Sequence, residues 1–245
     1  MKSEARSQKS EGNGAGCFMN DGFQIISGLI SNSECDLLAS ELSVLFESQQ
    51  NSAKNKIGGV RNLLRNSLLV NGTATSAKLV SCLEGLLDRK VFPVRAIIFD
   101  KTVESNWRVP WHQDLTIAVL EQIETPSFVA WSVKDGILHV QPPREILESM
   151  IAVRLHLDNC HVDDGALKII PGSHLHGKLD AVQIKEWTSK QTTVACEVPK
   201  GGALLMRPLL LHSSSPARNP SHRRVLHIEY ATIELPDGLK WFERQ

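Results

Sequence analysis

Trp107-Arg108-Val109-Pro110-Trp111-His112-Gln113-Asp114-Leu115-Thr116 is the stretch on which the reading of this chain turns. In an extended strand, side chains two apart share a face. An extended reading therefore sets the His112 imidazole beside the Asp114 carboxylate, two corners of a metal site that needs a third ligand from elsewhere. The spacing itself is common. His156-Leu157-Asp158 and His161-Val162-Asp163 repeat it, and taken alone such a pair is more often structural than metal-binding. Trp107 and Trp111 flank His112 and read either as core or as walls that keep water from a site.

Working outward, Ile151 to Asp158 alternates apolar and polar residues, the mark of a strand. Phe92 to Phe99, Ala166 to Ile170, Ala203 to Met206 and Arg224 to Ile233 read as further strands, and Gly22 to Ile26 as a short one. Ser31 or Ser33 caps a helix that carries Leu37, Leu38, Leu42, Leu45 and Phe46 at helical spacing. Ala77 to Asp88 reads as a second helix, and Val60 to Val70 as helix or extended chain. Asn51 to Gly59 is a polar loop, while Arg61 and Asn62 stand where they could close over a pocket. Leu120 to Glu145, with Pro126, Gly136, Pro142 and Pro143, reads as a long loop suited to covering a substrate. Helices first, then many strands with Gly and Pro turns, predict a mainly β fold with flanking helices, a sandwich or barrel. Residues 1–16 read as a disordered tail. Residues 17–245 form one domain, helical over about 31–90 with its β core over about 91–235.

Lys plus Arg and Asp plus Glu number 27 each, so no net field draws the protein to nucleic acid or an anionic membrane. The five cysteines form no C-x-x-C pair, which disfavours a structural zinc site and a thioredoxin-type redox motif, and their wide scatter resembles no disulfide framework, as fits a reducing compartment. No apolar run is long enough to span a membrane. These features predict a cytoplasmic protein, a monomer or weak homodimer, whose partner is a small-molecule substrate.

A third ligand appears downstream. The apolar run to Leu211 ends in His212, at the mouth of a buried strand, and Arg223 follows eleven positions later. Two imidazoles and a carboxylate on one side of a metal leave positions open for a cosubstrate and O2, the pattern of non-haem Fe(II) oxygenases. A nearby guanidinium can grip a carboxylate with two hydrogen bonds. Strand alternation sets Arg223 with Val225, His227 and Glu229, and Arg224 with Leu226, Ile228 and Tyr230. The first face suits a pocket better.

Trp111-His112-Gln113-Asp114, Gly165-Ala166-Leu167, Pro171-Gly172-Ser173-His174, His212 and Arg223 together resemble the phytanoyl-CoA dioxygenase family of Fe(II)- and 2-oxoglutarate-dependent oxygenases, from about Asp21 to Trp241. The resemblance implies a double-stranded β-helix (jelly-roll) core. It also implies iron ligation by His112, Asp114 and His212, and a salt bridge from Arg223 to the distal carboxylate of 2-oxoglutarate. Ser214 would add a hydrogen bond to that carboxylate. Arg154 and His156 would touch cosubstrate or substrate. Independently of the resemblance, extended alternation sets Thr116 on the face of His112 and Asp114, where it reads as a support for the ligands. The expected reaction couples decarboxylation of 2-oxoglutarate to succinate and CO2, with ascorbate in support, to hydroxylation of a small molecule. Desaturation, epoxidation and cyclisation are alternative outcomes, and halogenation is disfavoured because Asp114 is present. Two rival readings are a jelly-roll binding protein that keeps the metal site without catalysis, and a compact site of His156, Asp158 and His212. Asn106, Gln113, His174 and His176 read as structural.

Overall fold

The computed structural model describes residues 14–50 and 59–244. In chain order the elements are α1 (Gly14–Asp21), β1 (Phe23–Ile26), α2 (Asn32–Gln50), β2 (Gly59–Val60), α3 (Leu63–Asn66), α4 (Leu68–Ala74), α5 (Ala77–Leu87), β3 (Phe92–Lys101), β4 (Val109–His112), β5 (Ile117–Val119), β6 (Val129–Lys134), β7 (Ile137–Gln141), α6 (Arg144–Glu148), β8 (Met150–His156), β9 (Leu167–Ile169), α7 (Ala181–Lys190), β10 (Val194–Cys196), β11 (Ala203–Met206), β12 (His212–Ser214) and β13 (Arg223–Ala231).

Two antiparallel sheets make the jelly roll. The larger has the order β1-β11-β8-β13-β3-β2 and the smaller β10-β9-β12-β4. Every residue of β13 except Arg224 is buried, and all of β8 is. Antiparallel strands buried on both faces need a cover on each. On the outer face, Ala96, Ile98, Ile151, Val153, Leu155, Leu205, Leu226, Ile228 and Tyr230 pack against Leu38, Leu42, Leu63, Leu79 and Leu83 of the helices. The inner face carries Arg95, Phe99, Lys101, Arg154, Arg223 and His227 and lines a cavity with the smaller sheet.

Helix α2 starts on a reciprocal cap. The Glu34 amide donates to Ser31 Oγ (3.2 Å) and the Ser31 amide to Glu34 Oε2 (2.8 Å), which satisfies two donors that a helix start leaves free. Fully buried Tyr230 ties sheet to helices, its hydroxyl donating to Ala74 O at 2.8 Å.

Several expectations need correction. Residues 14–16, read as tail, begin α1, and residues 1–13 lie outside the described ones. Most of the expected loop at Asn51 to Gly59 lies outside them too, and its last residue, Gly59, opens β2. Strand β1 joins the larger sheet, so that sheet draws on chain preceding the helical region. The supposed covering loop from Leu120 contains the hairpin β6–β7, which pairs with β5 in a third sheet. Its turn is Asp135-Gly136, both at positive φ (51° and 76°), the dipeptide that favours a two-residue hairpin turn. Helix α7 escaped the periodicity reading. Its start is marked by Asp180 Oδ1 accepting from the Gln183 amide (2.8 Å) and Gln183 Oε1 from the Asp180 amide (2.9 Å). The apolar run to Leu211 is β11 followed by a turn, so His212 opens a strand rather than closing one.

Removing the Tyr230 hydroxyl leaves a buried carbonyl without its donor, a loss of about 1–3 kcal/mol. Tyr230→Phe should lower the urea-unfolding free energy by that amount and leave the far-ultraviolet circular dichroism unchanged.

Candidate metal centre

The ladder between β4 and β12 sets His112 directly opposite His212, with ring centroids 4.2 Å apart. Strand β4 ends at His112, and Asp114 reaches the site from the unpaired segment that follows it. Its amide donates to Pro208 O at 2.9 Å. Oδ1 then lies 3.7 Å from His112 Nε2, and Oδ2 3.7 Å from His212 Nε2. One ligand atom from each of the three residues falls within 4.8 Å of the others, the one such cluster among the described residues.

The protonation pattern suits a cation. His112 Nδ1 is 2.9 Å from Pro110 O and His212 Nδ1 2.8 Å from Leu210 O. A carbonyl only accepts, so each Nδ1 carries the proton and each Nε2 offers its lone pair toward Asp114. Burial disfavours the Asp114 carboxylate, but His212, His227, His112 and Arg95 outweigh it and hold its pKa down to about 2. Burial lowers His212 to about 4, so at neutral pH the cluster is an ionised carboxylate with a neutral His212. This donor set fits Fe(II) with open positions.

Gln113, which reads as structural in the sequence, braces both its neighbours. Its Nε2 donates to Gly177 O (2.7 Å) and Leu209 O (2.6 Å), and its Oε1 accepts from the Leu179 amide (2.8 Å).

The cavity beside the cluster measures about 230 Å³ and is lined by Arg95, Phe99, Lys101, Trp107, Val109, Leu167, Arg154, Ser214, Arg223 and His227 as well as the three ligand candidates. Arg223 is buried and lines it, whereas Arg224 turns outward onto Asp158, Nε to Oδ2 at 2.9 Å and Nη2 to Oδ1 at 2.7 Å. The two faces read from alternation are the two faces observed. Ser214 and Arg154 also line the cavity. Arg154 Nη1 lies 3.3 Å from His227 Nδ1, and His227 Nε2 lies 3.2 Å from Glu229 Oε1. A guanidinium only donates, so His227 Nδ1 accepts from Arg154 and Nε2–H donates a hydrogen bond to Glu229. Arg95 Nη2 meets the same Glu229 oxygen at 3.1 Å.

Other expected site residues fall elsewhere. The Thr116 hydroxyl accepts from Lys134 Nζ (3.1 Å), away from the residues lining the cavity. Arg61 pairs with Asp135 on the β6–β7 turn. Trp107 is a cavity wall, but Trp111 packs against Ile170, Leu179 and Leu211. His156 is buried and unpartnered at Nδ1, and Asp158 is engaged by Arg224, so His156, Asp158 and His212 do not assemble. Asn106 braces Ala217 through both its amide atoms. His174 Nε2 lies 3.2 Å from Met19 O, and His176 packs edge-on to Trp187. Lys101, Phe99 and Arg95 were missed as site residues. Counting by twos back from Lys101 links all three through Ile97, had the strand been read two residues further.

The profile of the phytanoyl-CoA dioxygenase family matches residues 18–225. The chain belongs to that family. It is thereby a non-haem Fe(II)- and 2-oxoglutarate-dependent oxygenase. No curated relative matches the sequence. Among solved structures, the non-haem α-ketoglutarate-dependent carbocyclase SnoK of nogalamycin biosynthesis is similar in fold, at TM-score 0.71 and 13% identity over 95% of this chain and 88% of that one. AviO1 from Streptomyces viridochromogenes Tue57 gives 0.66 and 19% over 91% and 96%. HygX from Streptomyces hygroscopicus, solved with nickel and 2-oxoglutarate, gives 0.61 and 16% over 87% and 83%.

Two outcomes follow for this family member. Gln113→Ala removes the brace between two ligand candidates without removing a ligand, and should weaken Fe(II) or Mn(II) affinity by about 10- to 100-fold in a metal titration. The second concerns acid. Burial holds His139 at about 4 and lowers His156 and His174, as it does His212. Unfolded histidine titrates near 6.5, so between roughly 6.5 and 4 the unfolded chain binds more protons and stability falls as pH falls. Burial raises Glu243 to about 7 and also raises Asp100, and these two oppose the four imidazoles. The urea midpoint of the metal-free protein should therefore be lower at pH 5 than at pH 7.

Proposed function

We propose that this chain hydroxylates a small molecule, with His112, Asp114 and His212 holding Fe(II) and Arg223 holding the distal carboxylate of 2-oxoglutarate. The observation that carries this reading is the cavity itself. It has a two-imidazole, one-carboxylate cluster on one wall, and buried Arg223 opposite Lys101 on another.

Bound iron would let O2 act as the oxidant, with two electrons drawn from 2-oxoglutarate as it becomes succinate and CO2 and two from the substrate, one oxygen atom going to each. The protein's own groups bind, orient and exclude water. Arg223 offers a planar fork to a carboxylate, and its Nε has no partner within the protein. Ser214 lines the same cavity, its Oγ accepting from Lys101 Nζ at 2.6 Å. Arg154, held by His227 and lining the same cavity, stands ready for the other end of the cosubstrate. Phe99, Trp107, Val109 and Leu167 supply the apolar lining that keeps water from the reacting atoms.

The same site serves a desaturase, epoxidase or cyclase equally well, because those outcomes differ in how the substrate sits. The five cysteines are free thiols, which supports a reducing, cytoplasmic setting, and no described helix is long and apolar enough to cross a membrane.

Succinate formation from 2-oxoglutarate should require Fe(II), be supported by ascorbate, and persist slowly without substrate. Absence of that activity from folded, iron-loaded protein would favour the non-catalytic binding reading. Arg223→Met should raise the 2-oxoglutarate requirement by about 10- to 100-fold, the worth of hydrogen bonds to a charged group. Arg224→Met should leave it within about threefold while lowering stability. Equal effects of the two on the requirement would remove Arg223 from this role.

A further inference from the structure

Lys101 is a fully buried lysine with no carboxylate partner among the described residues. It ends β3 directly opposite Arg223 of β13, and both line the cavity. Its Nζ donates to Ser214 Oγ at 2.6 Å and to Ser215 O at 2.5 Å. The Trp107 ring centroid is 5.6 Å away. Gly165 closes the other side at a positive φ of 74°. A Cβ there would stand 2.4 Å from Ser215 O and 3.2 Å from Lys101 Nζ, so the backbone approaches the ammonium as only glycine allows.

An ammonium has three donors, and two are used. Arg223 beside it is 4% exposed, its Nε unpartnered. Its backbone amide, not its guanidinium, meets Asp100. Two buried cations side by side without a counter-ion are costly. Evolution of a stable core alone would have placed apolar residues there. The arrangement makes sense when an anion completes it. A single carboxylate can bridge the two, taking the fork of Arg223 and the remaining donor of Lys101.

We propose that Lys101 is a second anchor for the distal carboxylate of the 2-oxo acid, acting with Arg223 and making the site selective for a dicarboxylic over a monocarboxylic 2-oxo acid. This rests on the functional reading above. Burial, with Arg223 and Arg154 nearby, lowers the Lys101 pKa to about 7 in the ligand-free protein, and an arriving carboxylate favours its charged form.

Calorimetric titration of the full chain loaded with Mn(II) tests this, using 2-oxoglutarate and 2-oxovalerate, which has a methyl group where 2-oxoglutarate has its distal carboxylate. Wild type should prefer 2-oxoglutarate strongly. Lys101→Met should lose about 10- to 100-fold in affinity for 2-oxoglutarate and no more than about threefold for 2-oxovalerate, while Lys101→Arg retains most of the preference. Lys101→Gln, which keeps a donor without the charge, gives the same comparison should the methionine variant fold poorly. An unchanged 2-oxoglutarate affinity, or an equal loss for both acids, overturns the role of Lys101. If wild type binds 2-oxoglutarate and Arg223→Met abolishes the preference while Lys101→Met keeps it, this inference fails and the functional reading stands. If wild type binds neither acid, the functional reading itself fails.

Discussion

The register of β12 against β4 is the constraint on which the site depends. Because side chains alternate, a slip of one residue would turn an imidazole to the opposite face. His212 faces His112 here because the smaller sheet is pinned on both sides. Ile169 of β9 pairs with His212 from the far side, and the Gln113 amide is tied to Gly177, Leu179 and Leu209. The turn after β11 then delivers Pro208 O to the Asp114 amide. Three segments distant in sequence thus fix one cluster through backbone pairing and the Gln113 amide, the rigid support a metal site requires.

The larger sheet solves a different problem. Each of its central strands presents apolar side chains to the helices and polar ones to the cavity. The helices therefore do more than decorate. They bury the face of Ile98, Leu226 and Ile228, and that burial holds Lys101, Arg223 and Arg154 in a dry interior. Hydrophobic burial on one face, worth roughly 25 cal/mol per Å² removed from water, offsets the unfavourable charge on the other. Function and stability are separated by a single strand's thickness.

Much of this was legible in the sequence, and the reasons for success and failure are physical. Alternation along Ile151 to Asp158 and Arg223 to Tyr230 revealed strands because the two faces meet different surroundings. The same alternation separated Arg223 from Arg224. His212 stood out as a third ligand by ending an apolar run, but only the family resemblance tied it to His112 and Asp114 in particular, since no local pattern encodes a cross-strand pairing. His112 and Asp114 converge at two-residue spacing while the Gln113 amide turns to Gly177, Leu179 and Leu209, as alternation in extended chain expects. The paired ladder nevertheless stops at His112, and Pro208 O fixes the Asp114 amide. The β6–β7 hairpin was hidden by prolines that flank it, while its Asp135-Gly136 turn stood in plain view. Thr116 shared a face with the ligands only on the assumption of a continuous strand, and that strand ends at His112.

The charge around the cavity explains why such a site is poised to bind. Arg95 is balanced by Glu229, whereas Lys101, Arg154 and Arg223 have no carboxylate of their own among the described ion pairs. Asp114 is the one acidic side chain on the cavity wall, and a divalent cation would outweigh it. A dianionic 2-oxo acid entering this space replaces lost hydration with fixed donors and spreads its two charges over several cations. Anything that binds the folded state and not the unfolded one stabilises it, so the cosubstrate would relieve repulsion that the empty fold must carry. The same excess of positive charge disfavours cationic molecules in the cavity. On the proposed reading, selectivity and instability have one origin, a cluster of buried cations whose counter-charge arrives with the ligand.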